Sequence, residues 1–130
     1  MFKTNIIINK KMNFKFKKDN PDTKKRKEES EKVKQKYPDR IPIIIEKDPN
    51  CKIKEIDKTK FLVPNDLTVQ HLMFIIRKRL ELSKEASLFM LVNGKQSVTG
   101  ETGLLEIYEK LKDPEDGYLY IVYTSELTWG

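Results

Sequence analysis

Apolar side chains recur at the spacing of an α-helix between residues 68 and 80. The positions i, i+3, i+4, i+7 and i+11 of one helix face carry Val69, Leu72, Met73, Ile76 and Leu80. Thr68 precedes this pattern and is a favourable N-cap. Phe74 and Ile75 widen the apolar surface, so we expect the helix to be covered on more than one side. Apolar positions on one face of residues 104–111 predict a second, shorter helix.

Four short runs of β-branched and aromatic residues predict strands. They span residues 41–46, 60–64, 88–92 and 118–123. The third run is followed by Asn93-Gly94, a pair that favours a tight hairpin turn. The fourth run is almost continuously apolar, which is typical of a central strand that is covered on both faces.

The segment over residues 14–36 is strongly polar, and Pro21 divides it because proline interrupts a helix. The pattern predicts a short helix over residues 15–19 and a longer one over residues 22–36, capped by Asp22 or Thr23. The longer helix has almost no apolar residues, and Val33 is its expected anchor. Such a helix is stable only where it rests on another part of the fold.

The order of these elements predicts an α+β fold of the ubiquitin-like β-grasp type. One long helix packs across a four-stranded mixed sheet, and two N-terminal helices precede it. Many unrelated proteins share this arrangement, so the fold alone does not give the function. Residues 1–13 are expected to be a poorly ordered extension, residues 14–36 a helical region, residues 37–123 the ubiquitin-like core, and residues 124–130 a flexible tail.

Composition narrows the classes of function. The 130 residues suffice for one domain, and no apolar run approaches the roughly 20 residues of a membrane-spanning helix. One cysteine, Cys51, and one histidine, His71, predict neither a disulfide nor a metal site, and we expect no cofactor. The sequence contains no phosphate-binding loop, catalytic carboxylate pair or nucleophile elbow. These observations favour a protein without enzyme activity.

The positive charge of the chain is concentrated in its N-terminal half. The net charge is +6, but residues 1–60 hold 19 Lys and Arg against 10 Asp and Glu, whereas residues 61–130 hold 7 against 10. A basic segment of this kind can bind nucleic acid, an anionic membrane or an acidic protein segment. Composition does not choose among these partners.

Four stretches of the sequence resemble one family in order and spacing. They are KYPDRIPIIIEK at residues 36–47, DKTKFLVPNDLTV at 57–69, FIIRKRL at 74–80, and LYIVY at 119–123 with the terminal Trp129-Gly130. Together they resemble the autophagy-related protein 8 family, the GABARAP-like ubiquitin-like modifiers of autophagy, over about residues 14–130. One departure is that Gly117-Tyr118 stands where the family has a pair of aromatic residues.

The resemblance implies a function for the last residue. In this family the terminal glycine, here Gly130, is conjugated to phosphatidylethanolamine on autophagosomal membranes. The implied partners are E1-like and E2-like conjugation enzymes, a cysteine protease for processing or delipidation, and autophagy receptors. The implied location is the cytoplasm and, after lipidation, the autophagosome membrane. The protein would be the substrate of these enzymes and would supply no nucleophile.

The resemblance also implies a docking face for receptor motifs of the form aromatic-x-x-aliphatic. The motif would add as a strand along residues 60–64. The positions that match an aromatic pocket are Glu29, Val33, Pro42, Lys60, Leu62 and Tyr118. The positions that match an aliphatic pocket are Phe61, Val63, Pro64, Leu67, Leu72 and Ile75. The basic positions that would meet acidic residues of the motif are Arg40, Lys58 and Arg79. Phe61 is expected to be partly exposed in the free protein.

Two other functions are compatible with parts of the sequence. One is a β-grasp module that docks peptides but is never conjugated, and the terminal glycine argues against it. The other is a basic nucleic-acid-binding domain using residues 10–36. Against it, lysines alternate with glutamates over residues 28–36, and the segment lacks the aromatic platforms that stack on single strands. From the residues alone, core is the favoured explanation for Leu62, Val63 and Ile75, and solvated surface is the usual one for Lys58 and Arg79.

Overall fold

The computed structural model describes residues 14–126 of the 130-residue chain. The predicted extension over residues 1–13, the last residues of the predicted tail and Gly130 lie outside this range. The helices are α1 (Lys15–Asp19), α2 (Thr23–Lys36), α3 (Val69–Leu80) and α4 (Leu104–Leu111). The strands are β1 (Arg40–Lys47), β2 (Lys60–Pro64), β3 (Phe89–Val92), β4 (Gln96–Ser97) and β5 (Leu119–Thr124).

The strands form one mixed sheet in the order β2-β1-β5-β3-β4. β1 and β5 are parallel, and the other neighbouring strands are antiparallel. The ubiquitin-like fold class is therefore confirmed, but the sheet has five strands and not the predicted four. The additional strand, β4, has only two exposed polar residues, so it carries no alternating pattern. It forms because Asn93 and Gly94 both take positive φ, at 57° and 72°, and turn the chain back onto β3.

β5 lies at the centre of the sheet, and all six of its residues are buried, as its apolar run predicted. Each face of the sheet supports a separate apolar cluster. On one face Ile43 and Ile45 of β1 pack with Ile76 of α3. On the other face Ile44 packs with Phe14, Phe16, Tyr118, Tyr120 and Val122. The alternation of side chains along β1 thus joins the main core to a second core beneath the N-terminal segment.

α3 begins at a reciprocal cap between Thr68 and His71. The Thr68 hydroxyl accepts from the His71 N–H at 3.4 Å, and His71 Nδ1 accepts from the Thr68 N–H at 3.0 Å. Two backbone donors that the helix leaves free are satisfied in this way. His71 is therefore a capping residue at the surface.

α2 is anchored through polar contacts. The sequence predicted Val33 as its anchor, but the buried residues of the helix are Arg26 and Ser30, whereas Val33 is half-buried. Arg26 Nε donates to Asp116 Oδ2 at 2.9 Å, and both side chains are at least 95% buried, with exposures of 5% and 0%. The Tyr120 hydroxyl donates to the same oxygen at 2.6 Å, and Oδ1 accepts from the Tyr118 N–H at 3.0 Å. The buried Asp116 carboxylate, which accepts these three hydrogen bonds, therefore holds α2 on the core.

α1 is held by its aromatic residues and by one carboxylate of β1. Phe14 and Phe16 are buried against Tyr120 and Tyr118, with ring centroids 4.7 and 5.4 Å apart. The Glu46 carboxylate accepts from the Lys15 and Phe16 N–H groups at 2.9 and 2.7 Å. A negative group at this position satisfies the first donors of the short helix.

Candidate functional site

β2 forms an edge of the sheet. It pairs with β1 from Arg40↔Pro64 to Ile44↔Lys60, and among residues 14–126 no strand pairs with its other side. Its backbone donors and acceptors on that side are therefore available to an added strand. The structure thus provides the backbone element that a docked peptide would need.

Successive side chains of β2 point to opposite faces of the sheet. Phe61 and Val63 point into the main core on the side of α3. Lys60 and Leu62 alternate with them, so they face the side of the N-terminal helices. The two predicted pockets therefore lie on opposite faces of one edge strand, which is how a single short strand can serve both of them.

The aromatic-pocket residues are brought together on the face of the N-terminal helices. Pro42 is the register partner of Leu62, which is half-buried. Lys60 Nζ forms an ion pair with Glu29 of α2, and their side chains are 54% and 46% exposed. Tyr118 is 2% exposed and forms the buried part of the set, and Val33 of α2 is half-buried.

Phe16 lies beside two of the predicted aromatic-pocket residues, although the sequence did not indicate it. Its ring meets the Tyr118 ring edge-on at 5.4 Å, and Lys60 Nζ lies 5.9 Å from its centroid. The only sequence signal was the isolated aromatic pair Phe14 and Phe16 at the start of a polar segment. Their partners lie about a hundred positions away, so local sequence could not place them.

The aliphatic-pocket residues divide into a buried base and an accessible rim. Phe61, Val63 and Leu72 are buried at 7%, 5% and 0% exposure. The expectation that Phe61 is partly exposed was therefore wrong, because its position in β2 directs the ring into the core. Leu67 and Ile75 are half-buried and line an open hollow of about 690 Å³ beside Phe74, and Pro64 is exposed.

The three basic residues do not form one cluster. Lys58 Nζ and the Arg79 guanidinium lie 5.1 and 5.6 Å from the centroid of the Phe61 ring, and Arg79 is also paired with Asp57 at 3.1 Å. Arg40 lies opposite Pro64, at the other end of β2, over the Tyr37 ring at 5.9 Å. Positive charge therefore flanks the edge strand at both ends.

Cys51 is the one thiol of the chain and contacts the start of the predicted tail. Its Sγ lies 2.9 Å from Ser125 Oγ and accepts from the Ser125 N–H at 3.3 Å. Burial by itself would raise the pKa of the thiol, but hydrogen bonds with Ser125, Ile53 and Thr124 together outweigh it and lower the pKa to about 7. Within residues 14–126, no group of His, Cys, Asp and Glu side chains is arranged to hold a metal ion.

Comparisons with known proteins agree on one family. A family model described as "Autophagy protein Atg8 ubiquitin like" matches residues 25–130. "Autophagy-related protein 8e" of Arabidopsis thaliana is 49% identical over 115 residues, which cover 88% of this chain and 92% of that protein. The crystal structure of Trypanosoma brucei ATG8 superposes with a TM-score of 0.82 at 40% identity, covering 92% of this chain and all of that one. No helix within residues 14–126 is long and apolar enough to cross a membrane.

Proposed function

The chain belongs to the Atg8 family of ubiquitin-like autophagy proteins, and on this premise we propose that it is a modifier conjugated through Gly130 to phosphatidylethanolamine. E1-like and E2-like enzymes would activate and transfer it, and a cysteine protease would process or release it. It would act in the cytoplasm and, once lipidated, on autophagosomal membranes. There it would recruit receptors that carry aromatic-x-x-aliphatic motifs.

The free edge of β2 is the observation that carries the docking part of this proposal. An added strand gains affinity from the unpaired backbone groups and specificity from alternate side chains. The aromatic pocket lies around Lys60 and Leu62, and the accessible rim of the aliphatic pocket lies at Pro64 and Leu67. An aromatic-x-x-aliphatic peptide would therefore run parallel to β2, with its aromatic residue first.

The basic residues at the two ends of β2 should each attract the acidic residues at the corresponding end of such a peptide. Lys58→Glu should weaken a peptide whose acidic residues precede the aromatic residue, and Arg40→Glu should weaken one whose acidic residues follow the aliphatic residue. We expect each loss to be roughly 2- to 5-fold, because the pairs are exposed. It should shrink at high salt, since charges are screened over about 8–10 Å at physiological ionic strength.

Calorimetric titration of both peptides against both variants, at low and high salt, measures these losses. Each variant serves as the control for the other peptide. If both variants weakened the binding of both peptides equally, or if salt had no effect on binding, the basic residues would not distinguish the two ends of the peptide. The prediction would then be wrong.

Conjugation is tested by replacing the terminal glycine. Gly130→Ala should strongly reduce attachment to liposomes that contain phosphatidylethanolamine, because a Cβ next to the reacting carboxylate obstructs the narrow sites through which the tail must pass. Gly130 follows the last residue of β5 by six positions, and we expect one added methyl group there to leave the melting temperature unchanged. The readout is the lipidated band formed with matching E1-like and E2-like enzymes.

Liposomes of phosphatidylcholine alone provide the negative control for this reaction. Leu62→Ala is a control variant, since it alters the docking face and leaves the tail intact. It should be lipidated like the unaltered chain. A lipidated band of full intensity from Gly130→Ala would refute conjugation through this residue. Peptide binding with no conjugation of the unaltered chain would instead support an unconjugated docking module.

A further inference from the structure

A second hollow, of about 400 Å³, opens between α2, the end of α4 and the turn that leads into β5. None of the residues predicted for peptide docking lines this α2–α4 hollow. Ser30 and Gly117 approach closely in its wall: Gly117 has a φ of 81°, and a Cβ added there would lie 3.0 Å from Ser30 Oγ. The volume lies within the range of small-molecule sites, which begins at about 300 Å³. Peptide docking therefore leaves this hollow without a function.

Two lysines converge on one buried tyrosine in the lining of the hollow. Lys112 Nζ and Lys34 Nζ lie 4.9 and 5.3 Å from the centroid of the Tyr108 ring, which is 7% exposed. Within residues 14–126 neither ammonium group forms an ion pair, and Lys34 donates instead to the Pro38 and Arg40 carbonyls. Two like charges held over one ring repel each other, so an anion placed between them would be attracted by both.

The Tyr108 hydroxyl adds a hydrogen-bond donor to these two cations. Its oxygen is not fully enclosed, and burial raises the pKa of Tyr108 without the contribution of any hydrogen bond. The hydroxyls of Tyr120 and Tyr123, by contrast, donate within the fold. A phenol with a raised pKa stays protonated, so the Tyr108 hydroxyl can donate to an anion in the hollow.

The acidic side chains of the lining do not neutralise the two lysines. Two of them already pair with other cations, Asp116 with Arg26 and Asp113 with Lys17. The other two are exposed and form no ion pair with either lysine; they are Glu31 and Glu115. The positive charge around the Tyr108 ring is therefore available to a ligand.

We propose that the α2–α4 hollow binds a phosphomonoester through the ammonium groups of Lys34 and Lys112 and the hydroxyl of Tyr108. A phosphomonoester carries a charge of about −1.5 to −2 at neutral pH and three strong acceptor oxygens, so one group can meet two cations and a donor. A carboxylate has one charge and two oxygens and matches this set less well. Lysine is also a common phosphate ligand in proteins. The phosphate belongs either to a soluble molecule or to a lipid headgroup, and both sources are tested below.

The first experiment titrates inorganic phosphate into the full chain at constant ionic strength, with chloride as the balancing anion, and follows the backbone amide signals by NMR. Lys112→Glu and Tyr108→Phe are the test variants. Lys110→Glu is the matched control, because it makes the same change of charge two positions from Lys112 on a side chain that is 71% exposed and does not line the hollow. Melting temperatures of all three variants verify that the fold is intact.

We expect saturable shifts of the amide signals around Tyr108, Lys112 and Gly117. Tyr108→Phe should weaken phosphate binding by roughly 10-fold, the effect of losing one hydrogen bond to a charged group. Lys112→Glu should abolish saturable binding, whereas Lys110→Glu should change the dissociation constant by less than roughly 2-fold, because exposed charges act weakly. Equal weakening by the two charge reversals, no effect of Tyr108→Phe, or shifts that never saturate would overturn the inference.

A second experiment distinguishes the two sources of the phosphate. Vesicles of phosphatidylcholine, with and without phosphatidylinositol 4-phosphate, are sedimented with the unlipidated chain and with the two charge-reversal variants. Retention that requires the phosphorylated lipid and is lost in Lys112→Glu, but not in Lys110→Glu, would assign the site to a lipid headgroup. Phosphate binding in solution without such retention would assign it to a soluble ligand. Peptide binding and conjugation are measured separately, so their failure would not affect either result.

Discussion

Asp116→Ala is expected to lower the free energy of unfolding by about 3–5 kcal/mol, the usual penalty for breaking a buried ion pair from one side. The substitution leaves the Arg26 guanidinium buried without its carboxylate and removes the acceptor of the Tyr120 hydroxyl. It also frees the Tyr118 N–H. Three buried donors lose one partner together, so the effect should exceed that of any single hydrogen bond.

Thermal or urea unfolding followed by circular dichroism measures this loss. Glu109→Ala, which removes an exposed carboxylate from α4, is the control and should change stability by less than about 0.5 kcal/mol. Arg26→Ala should also be destabilising because it strands the carboxylate. If the double variant Arg26→Ala with Asp116→Ala were as unstable as the two losses added together, the residues would not be coupled and the explanation would be wrong.

Phe61→Ala should likewise destabilise the fold, by about 3–5 kcal/mol. The ring is 7% exposed and packs in the same cluster as Ile76 of α3. Removing the ring leaves a cavity between β2 and α3. We expect this cavity to stay open, because β2 is held in place by its pairing with β1. Ile76→Ala, at a site with 0% exposure, should cost about 2–5 kcal/mol for the same reason.

Phe74→Ala is the matched control for Phe61→Ala. It deletes the same ring from a site that is 59% exposed, so little stability should be lost. Melting temperatures of the three variants separate these cases. If the melting temperature of Phe61→Ala were close to that of Phe74→Ala and well above that of Ile76→Ala, Phe61 would be accessible in solution, as the sequence had led us to expect.

Elements with a strong period could be predicted from the sequence. The spacing of apolar residues gave the long helix and its Thr68 cap, and the continuous apolar run of β5 gave its central place. The turn pair Asn93-Gly94 was also correctly identified. These features depend on residues a few positions apart, so the local pattern contains the information that determines them.

Features that depend on distant partners could not be predicted in this way. A lysine-rich helix gives no sign that Arg26 and Ser30 are its buried residues, since the partner Asp116 lies 90 positions from Arg26. Phe61 was misjudged because a five-residue strand does not reveal which of its faces meets the core. β4 was missed because two polar residues carry no pattern, although the turn before them positions them against β3.

The parallel pairing of β1 and β5 has a consequence for the design of fusion proteins. Lys47 and Tyr123 are register partners, so both strands finish at the same end of the sheet. The Glu46 carboxylate holds the start of α1 at that same end. The polypeptide thus enters and leaves the described fold side by side, as the termini of many domains do. A reporter fused directly before Phe14 would begin at the end of the sheet where β5 finishes, so a long hydrophilic spacer belongs in any such fusion.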